Sequence, residues 1–270
     1  MHSVLKNILA RRNKAVPVKD GRKIVLVMFG GTMTGIRGGA AGIALHELGL
    51  THAFDEIYSV SSGFGNASCF LSEQIRHSTH AYYDYLPKGD FINWLRPWKL
   101  VDIDLLVQTM KVRGFDAKRL LACKTKLYAC LYNLDKRCAD YLEVHDFGPR
   151  QYYKLLKAAT CIPYLSPGFV KIGQYRYEDL PWTHRHYNDF LNHVVTTSRA
   201  SDILIIYNYH GQSKLQGSLP DHVYEIVPKK EWNLKRLEID PKILIKECRQ
   251  MGTFVKDQFG QPGEILLHNE

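Results

Sequence analysis

The chain has 270 residues, with 36 Lys and Arg against 27 Asp and Glu, a formal net charge of +9. Its 45% of apolar residues is the share of an ordinary globular protein and excludes a disordered chain. The longest apolar run, Ile24–Phe29, is far shorter than the ~20 residues that cross a bilayer, so we expect no integral membrane protein.

The excess charge is confined to two segments. Residues 1–23 carry seven bases against Asp20 alone, and residues 229–249 carry seven bases and four acids, which leaves the body neutral. A nucleic-acid binder usually carries its basic residues on the folded body, so a nucleotide or nucleic-acid binder is the weaker reading. The six cysteines form no C-x-x-C pair and, with no signal-peptide-like start, read as reduced thiols of a cytoplasmic protein. Neither His77/His80 nor His184/His186 has Cys or carboxylate companions at zinc-like spacing, so no metal and no cofactor is expected.

Taken in chain order, Val4-Leu5 and Ile8-Leu9 recur at a helical interval beside Arg11 and Arg12, which predicts a basic amphipathic arm over 1–23. Lys23–Phe29 is an apolar run of strand length and opens into a glycine-rich stretch, Gly30–Gly39. A helix over Ala40–Leu48 follows, closed by Gly49, then a strand over Phe54–Val60. A sharp Ser/Gly turn at 61–67 opens the next helix, completing a right-handed βαβ unit. Residues 75–120 read as an aromatic-rich cap ending in a helix near 102–111. Beyond it we expect a strand over Lys124–Leu131 and a helix over Tyr152–Thr160. A hairpin about Gly173-Gln174, a strand over Ile203–Tyr207 and a basic helix over Lys242–Met251 complete the order. The order predicts an α/β fold, a three-layer sandwich with a central, mostly parallel sheet flanked by helices over 24–252 and a tail over 253–270.

The chemistry gathers at one junction. Ser61 stands between a strand and a helix in Ser59-Val60-Ser61-Ser62-Gly63, a G-x-S-x-G pattern with Ser59 in place of the first glycine. Such an elbow exposes a hydroxyl beside backbone N–H groups, and Gly63 keeps the turn narrow. The plainer alternative is a helix N-cap. The glycine stretch is suited to holding an oxyanion. As a phosphate cradle it lacks both the P-loop Lys-Ser/Thr and G-x-G-x-x-G.

From about Ile24 to Gly252 the chain resembles the patatin-like phospholipases. The likeness is carried by Gly30-Gly31…Arg37-Gly38, by Ser59–Gly63 followed by Asn66-Ala67, by Ala158–Pro163, and by the hairpin Ile172–Asp179. Asp84–Pro87 and Leu100–Asp104 are similar to segments of bacterial members. The resemblance implies a Ser61–Asp179 dyad without histidine, in which Asp179 takes the proton as Ser61 attacks an ester carbonyl. It further implies an oxyanion loop drawn from Gly30, Gly31, Thr32, Gly35, Arg37 and Gly38, with Arg37 helping to fix it. Two registers of that loop compete, and the one ending at Arg37-Gly38 better leaves one helix and one strand before Ser61. The family's aspartate precedes glycine, whereas Asp179 precedes Leu180-Pro181.

A serine lipid acyl hydrolase of the phospholipase A or lysophospholipase kind is therefore the expected function. A catalytically impaired lipid-binding module is the alternative. A Ser–Asp–His hydrolase would need several strands before its nucleophile, and only one precedes Ser61. The expected partner is a lipid or acyl ester, with peripheral contact to an anionic inner-membrane surface through the basic arm.

Overall fold

The computed structural model describes residues 1–88, 90–215 and 217–267. Gly89 in the expected cap, Gln216, and the last three residues of the expected tail lie outside the described residues. The elements run α1 (Ser3–Leu9), β1 (Ile24–Met28), α2 (Ile36–Glu47), β2 (Glu56–Val60), α3 (Ser62–Leu71), α4 (Ile75–Asp84), α5 (Ile103–Val112), α6 (Ala117–Ala122), β3 (Lys126–Asn133) and β4 (Cys138–Glu143). They continue with α7 (Pro149–Thr160), β5 (Val170–Ile172), β6 (Tyr175–Asp179), α8 (His184–Thr197), β7 (Asp202–Ile206), β8 (Val223–Ile226) and α9 (Pro241–Gln258). The protein is an α/β three-layer sandwich, as the sequence predicts.

Along the sheet the order is β5-β6-β3-β2-β1-β7-β8, with β4 also on β3. β2, β1, β7 and β8 are parallel, whereas β4 and β6 run antiparallel to β3. β1 is buried on both faces: Ile24, Leu26 and Met28 join the larger core, and Val25 and Val27 the smaller one. This accounts for its unbroken apolar run, the mark of a strand covered on both sides. Phe190, Leu191 and Val194 of α8 cover the smaller core, while residues of α2, α3, α7 and α9 lie in the larger.

β3 brings two distant strands together. One of its edges is covered by β4 over Tyr128–Asn133. The other edge carries β2 as far as Val60 opposite Cys130, and then β6, arriving head-on with Asp179 opposite Leu131. The C-terminal ends of β2 and β6 therefore meet on adjacent rungs of one strand.

Three expectations change. The 1–23 arm carries the predicted amphipathic helix, but Val4, Leu5 and Ile8 are buried in the larger core, worth about 1.5–3 kcal/mol each. Buried Arg11 pairs with Asp20 and Asp55, both at 2.7 Å, and pins the segment to the body. The boundary expected after Gly252 falls inside α9, which continues to Gln258. Helix α2 begins at Ile36, earlier than expected, because a 3-10 turn over Thr32–Gly35 leads directly into it. Gly49 closes the helix at φ +71°, as its position predicts. Among the described residues no helix is long and apolar enough to cross a membrane.

Candidate active site

Strand β2 ends at Val60, and Ser61 turns the chain into α3 with φ +55° and ψ −134°. A non-glycine residue held there stores roughly 1–3 kcal/mol of strain, so the surroundings must enforce it. The Ser61 side chain makes no capping hydrogen bond to α3. Its hydroxyl is thus not committed to the helix, which removes the plain N-cap reading. Two glycines allow the turn. A Cβ on Gly63 would stand 2.3 Å from the Met28 carbonyl oxygen, and one on Gly30 would stand 2.3 Å from the Cβ of Ser61. Ser59, in place of the pattern's first glycine, is buried and donates to the Tyr128 carbonyl at 2.8 Å, tying β2 to β3.

The glycine loop is held from outside itself. Asn208 Nδ2 donates to the carbonyls of Phe29 and Gly30 at 2.5 and 2.8 Å, and Gln212 Nε2 donates to Gly30 at 2.7 Å. Asn66 Nδ2 fixes the far end of the 3-10 turn through the Gly35 carbonyl at 2.7 Å. Gly31 lies at φ +146° and Thr32 at φ +55°, and the Thr34 hydroxyl donates back to the Gly31 carbonyl at 2.8 Å. With the carbonyls held, no group among the described residues accepts from the N–H groups of Gly31, Thr32 or Ser62. These are the donors available to a developing negative charge beside Ser61.

Arg37 acts on the loop from behind, through Asn208, rather than from within it. Its guanidinium is buried against Glu247, with Nε and Nη2 at 2.9 and 2.6 Å from Oε2. It also donates to the carbonyls of Asn208 at 2.8 Å and Trp232 at 3.0 Å. It therefore braces Asn208, which in turn holds Gly30. A Cβ on Gly38 would lie 3.1 Å from both the Asn66 and Asn208 amides, so Gly38 gives those amides room. The part of the loop that meets the elbow is Gly30–Gly35: Thr32 lines a cavity with Ser61 and Ser62, and a Cβ on Gly35 would reach the Ser62 hydroxyl at 2.3 Å. The preferred register ending at Arg37-Gly38 is corrected accordingly, because those two residues already lie in the first turn of α2.

Asp179 is fully buried at the end of β6, its N–H donating to the Cys161 carbonyl at 2.9 Å. Burial pushes its carboxyl up to about 8. The Ser61 hydroxyl, the Leu180 N–H and the Trp182 indole face it and draw it partly back down. None completes a hydrogen bond of full geometry, and both carboxylate oxygens stand without a partner. The Trp182 indole N–H and the Tyr187 hydroxyl are likewise buried and unpartnered. The missing Asp-Gly glycine is not needed here: Leu180 keeps a negative φ and its side chain is buried in the smaller core.

Among the described residues, no hydrogen bond or ion pair joins a histidine to Ser61 or Asp179. His186 contacts Thr183 and packs edge-on against Tyr132, and His193 stacks on Tyr141. Among the described residues, no group of three or more His, Cys, Asp or Glu side chains could hold a metal ion.

In front of Ser61 lies a narrow apolar slot closed by Leu86, Phe91, Ile103, Leu106 and Ile162. Its free volume of about 30 Å³ is room for one or two water molecules. The expected cap over 75–120 thus contributes the slot's outer wall through α4, α5 and the segment between them.

Sequence patterns do not single out Asn208, Gln212, Glu247, Trp182 or Tyr187. One signal exists for the first two: they follow the C-terminal end of β7, beside β1 in a parallel sheet, where α/β sites collect. Comparison with known proteins adds no relative: no protein-family model matches the chain, and no curated protein does.

Proposed function

We propose that the protein is a serine hydrolase of lipid acyl esters, acting through Ser61 and Asp179. One observation carries the reading: a strained, uncapped serine that lines an apolar slot faces a buried carboxylate whose oxygens have no hydrogen-bond partner. As the Ser61 oxygen attacks the ester carbonyl, its proton passes to Asp179. The oxyanion forms against the N–H groups of Gly31, Thr32 and Ser62, which cost no reorganisation at that moment. Asp179 returns the proton to the departing alcohol. Water then attacks the acyl-serine by the same route in reverse order of proton transfer.

Substrate class follows from the slot. Its walls are aliphatic and aromatic, which suits an acyl chain, and its free volume requires α4 and α5 to part before a chain enters. The alternative, a lipid-binding module, rests on Leu180 following Asp179 where the family has glycine.

A fluorophosphonate probe is expected to label Ser61, with labelling lost in Ser61→Ala. Hydrolysis of a p-nitrophenyl acyl ester should fall at least about a thousandfold in that variant. Unchanged turnover in Ser61→Ala would overturn the proposal, and lipid retention without labelling would favour the lipid-binding module instead.

A further inference from the structure

The segment between α4 and α5 has two contrasting faces. Phe91 and Ile103 line the slot, and the segment is pinched at its neck by the Ile92–Val101 bridge and by the Asn93 N–H on the Leu100 carbonyl at 3.0 Å. Beyond the neck the tip turns outward with Trp94 67%, Leu95 87% and Trp98 73% exposed. A second loop is joined to this neck by the Val101 N–H on the Leu165 carbonyl at 2.9 Å. That loop starts from Ile162 in the slot wall and holds Tyr164 at φ +66° with its ring 98% exposed. Four large apolar or amphipathic side chains thus stand bare on two loops that both spring from the mouth of one slot.

We infer that the 93–100 loop, together with Tyr164, is the surface by which the protein settles on a zwitterionic phospholipid interface, with the slot facing the lipid. The inference rests on the reading of Ser61 as a lipid esterase, and it names the surface that delivers the substrate. Indole and phenol rings favour the headgroup layer, where an apolar body and a polar edge are both accommodated. An exposed apolar cluster of this kind marks an interaction site rather than ordinary surface. The charge argues for a zwitterionic rather than an anionic surface. Residues 85–104 hold three bases and three acids. Arg96 and Lys99 pair with Asp102 at 3.4 and 2.9 Å, so the loop carries no net attraction for anionic headgroups. The basic N-terminal segment is a different surface: its exposed bases remain available for electrostatic contact, but its apolar face is buried in the core.

Sedimentation with phosphatidylcholine vesicles tests this directly, using the full chain carrying Ser61→Ala so that binding is read without turnover. That protein should pellet with the vesicles, equally at low and high salt, because apolar burial is not screened. Adding W94S, L95S and W98S should lower the partition coefficient about tenfold or more. The same three substitutions in the active chain should leave turnover of a soluble ester within about twofold, which also shows that the variant folds. As a second measurement, lipids brominated near the headgroup should quench the fluorescence of the parent, and W94F/W98F should lose that quenching while still pelleting. Equal pelleting of the triple variant, absence of pelleting by the parent, or a dimer in solution that the triple variant breaks would each overturn the inference. If the triple variant loses pelleting while Ser61 proves inert to the fluorophosphonate, the docking surface stands and the esterase reading falls.

Discussion

The two sides of the elbow are built on opposite terms. On the glycine-loop side the carbonyls of Phe29, Gly30 and Gly35 each accept from a side-chain amide, and Arg37 with Glu247 braces one of those amides from behind. On the aspartate side, both oxygens of Asp179, the Trp182 indole and the Tyr187 hydroxyl are buried with no partner. Groups that stabilise charge by fixed dipoles work best when they cannot move. A base must exchange a proton, and a carboxylate saturated with donors would have its pKa driven down and its affinity for that proton lost. The contrast lies between held backbone carbonyls and an unheld carboxylate, a rigid half and a reactive half. The Thr32 and Ser62 hydroxyls and Asn208 Oδ1 on the glycine side are buried without a partner too.

The first prediction breaks the rigid half at its closest approach. Gly30→Ala places a methyl carbon 2.3 Å from the Ser61 Cβ, and ester turnover should fall about a hundredfold or more, as when one oxyanion donor is displaced. Measurement of kcat and KM on a soluble ester checks this, with the loss falling mainly in kcat.

Next comes the brace. Glu247→Gln leaves the Arg37 guanidinium buried without its counter-charge, which should cost about 3–5 kcal/mol in urea unfolding. R37M/E247M should recover much of that stability. Its turnover should nonetheless stay low, because Asn208 has lost its support.

The reactive half predicts the reverse sign. An acid whose folded value is about 8 against an ordinary 3.8 binds its proton more tightly when folded, so stability drops as pH rises from about 4 through about 8. Asp179→Asn should therefore match the parent near pH 4 and be more stable at pH 9. The gain is a few kcal/mol, with a ceiling of about 6 from ~1.4 kcal/mol per pH unit. Turnover should be lost in the same variant. In the parent, kcat/KM should rise with pH and level off above about 8, as the base ionises. A variant less stable at pH 9 would show that the carboxylate is structural rather than reactive.

The smallest effect on turnover tests the replaced glycine. Leu180→Gly creates the Asp-Gly pair that the proposed reading would expect, yet it removes a buried side chain. Denaturation should show a loss of about 3 kcal/mol or more, with no gain in turnover.

Legibility in the sequence divides along the same line. The elbow is legible because β1 and β2 are short buried strands, each followed within two residues by Gly or Ser, a local pattern. The hairpin is legible from Gly173, which the turn holds at φ +58°. β4 escapes notice because its residues are mostly half-buried and show no alternation. β8, with only its two ends fully buried, is too short to stand out. Arg37 is drawn to the oxyanion loop by its neighbours, because its partner, Glu247, lies 210 residues further on. Nothing local to Arg37 signals that pairing, and the same holds for Asn208 reaching back to Gly30.

The shared edge of β3 has a consequence for how this protein can vary. Val60, the residue before Ser61, and Asp179 stand opposite consecutive residues, Cys130 and Leu131, of a third strand. The offset of Val60 from Asp179 along β3 is thus one backbone repeat, about 3.4 Å, and is not set by the chain that connects them. The connecting segment, including α4, α5 and the aromatic loop between them, can lengthen, shorten or be exchanged while Ser61 and Asp179 stay in register. β3 acts as a ruler, which leaves the substrate-facing wall free to diverge over an unchanged pair.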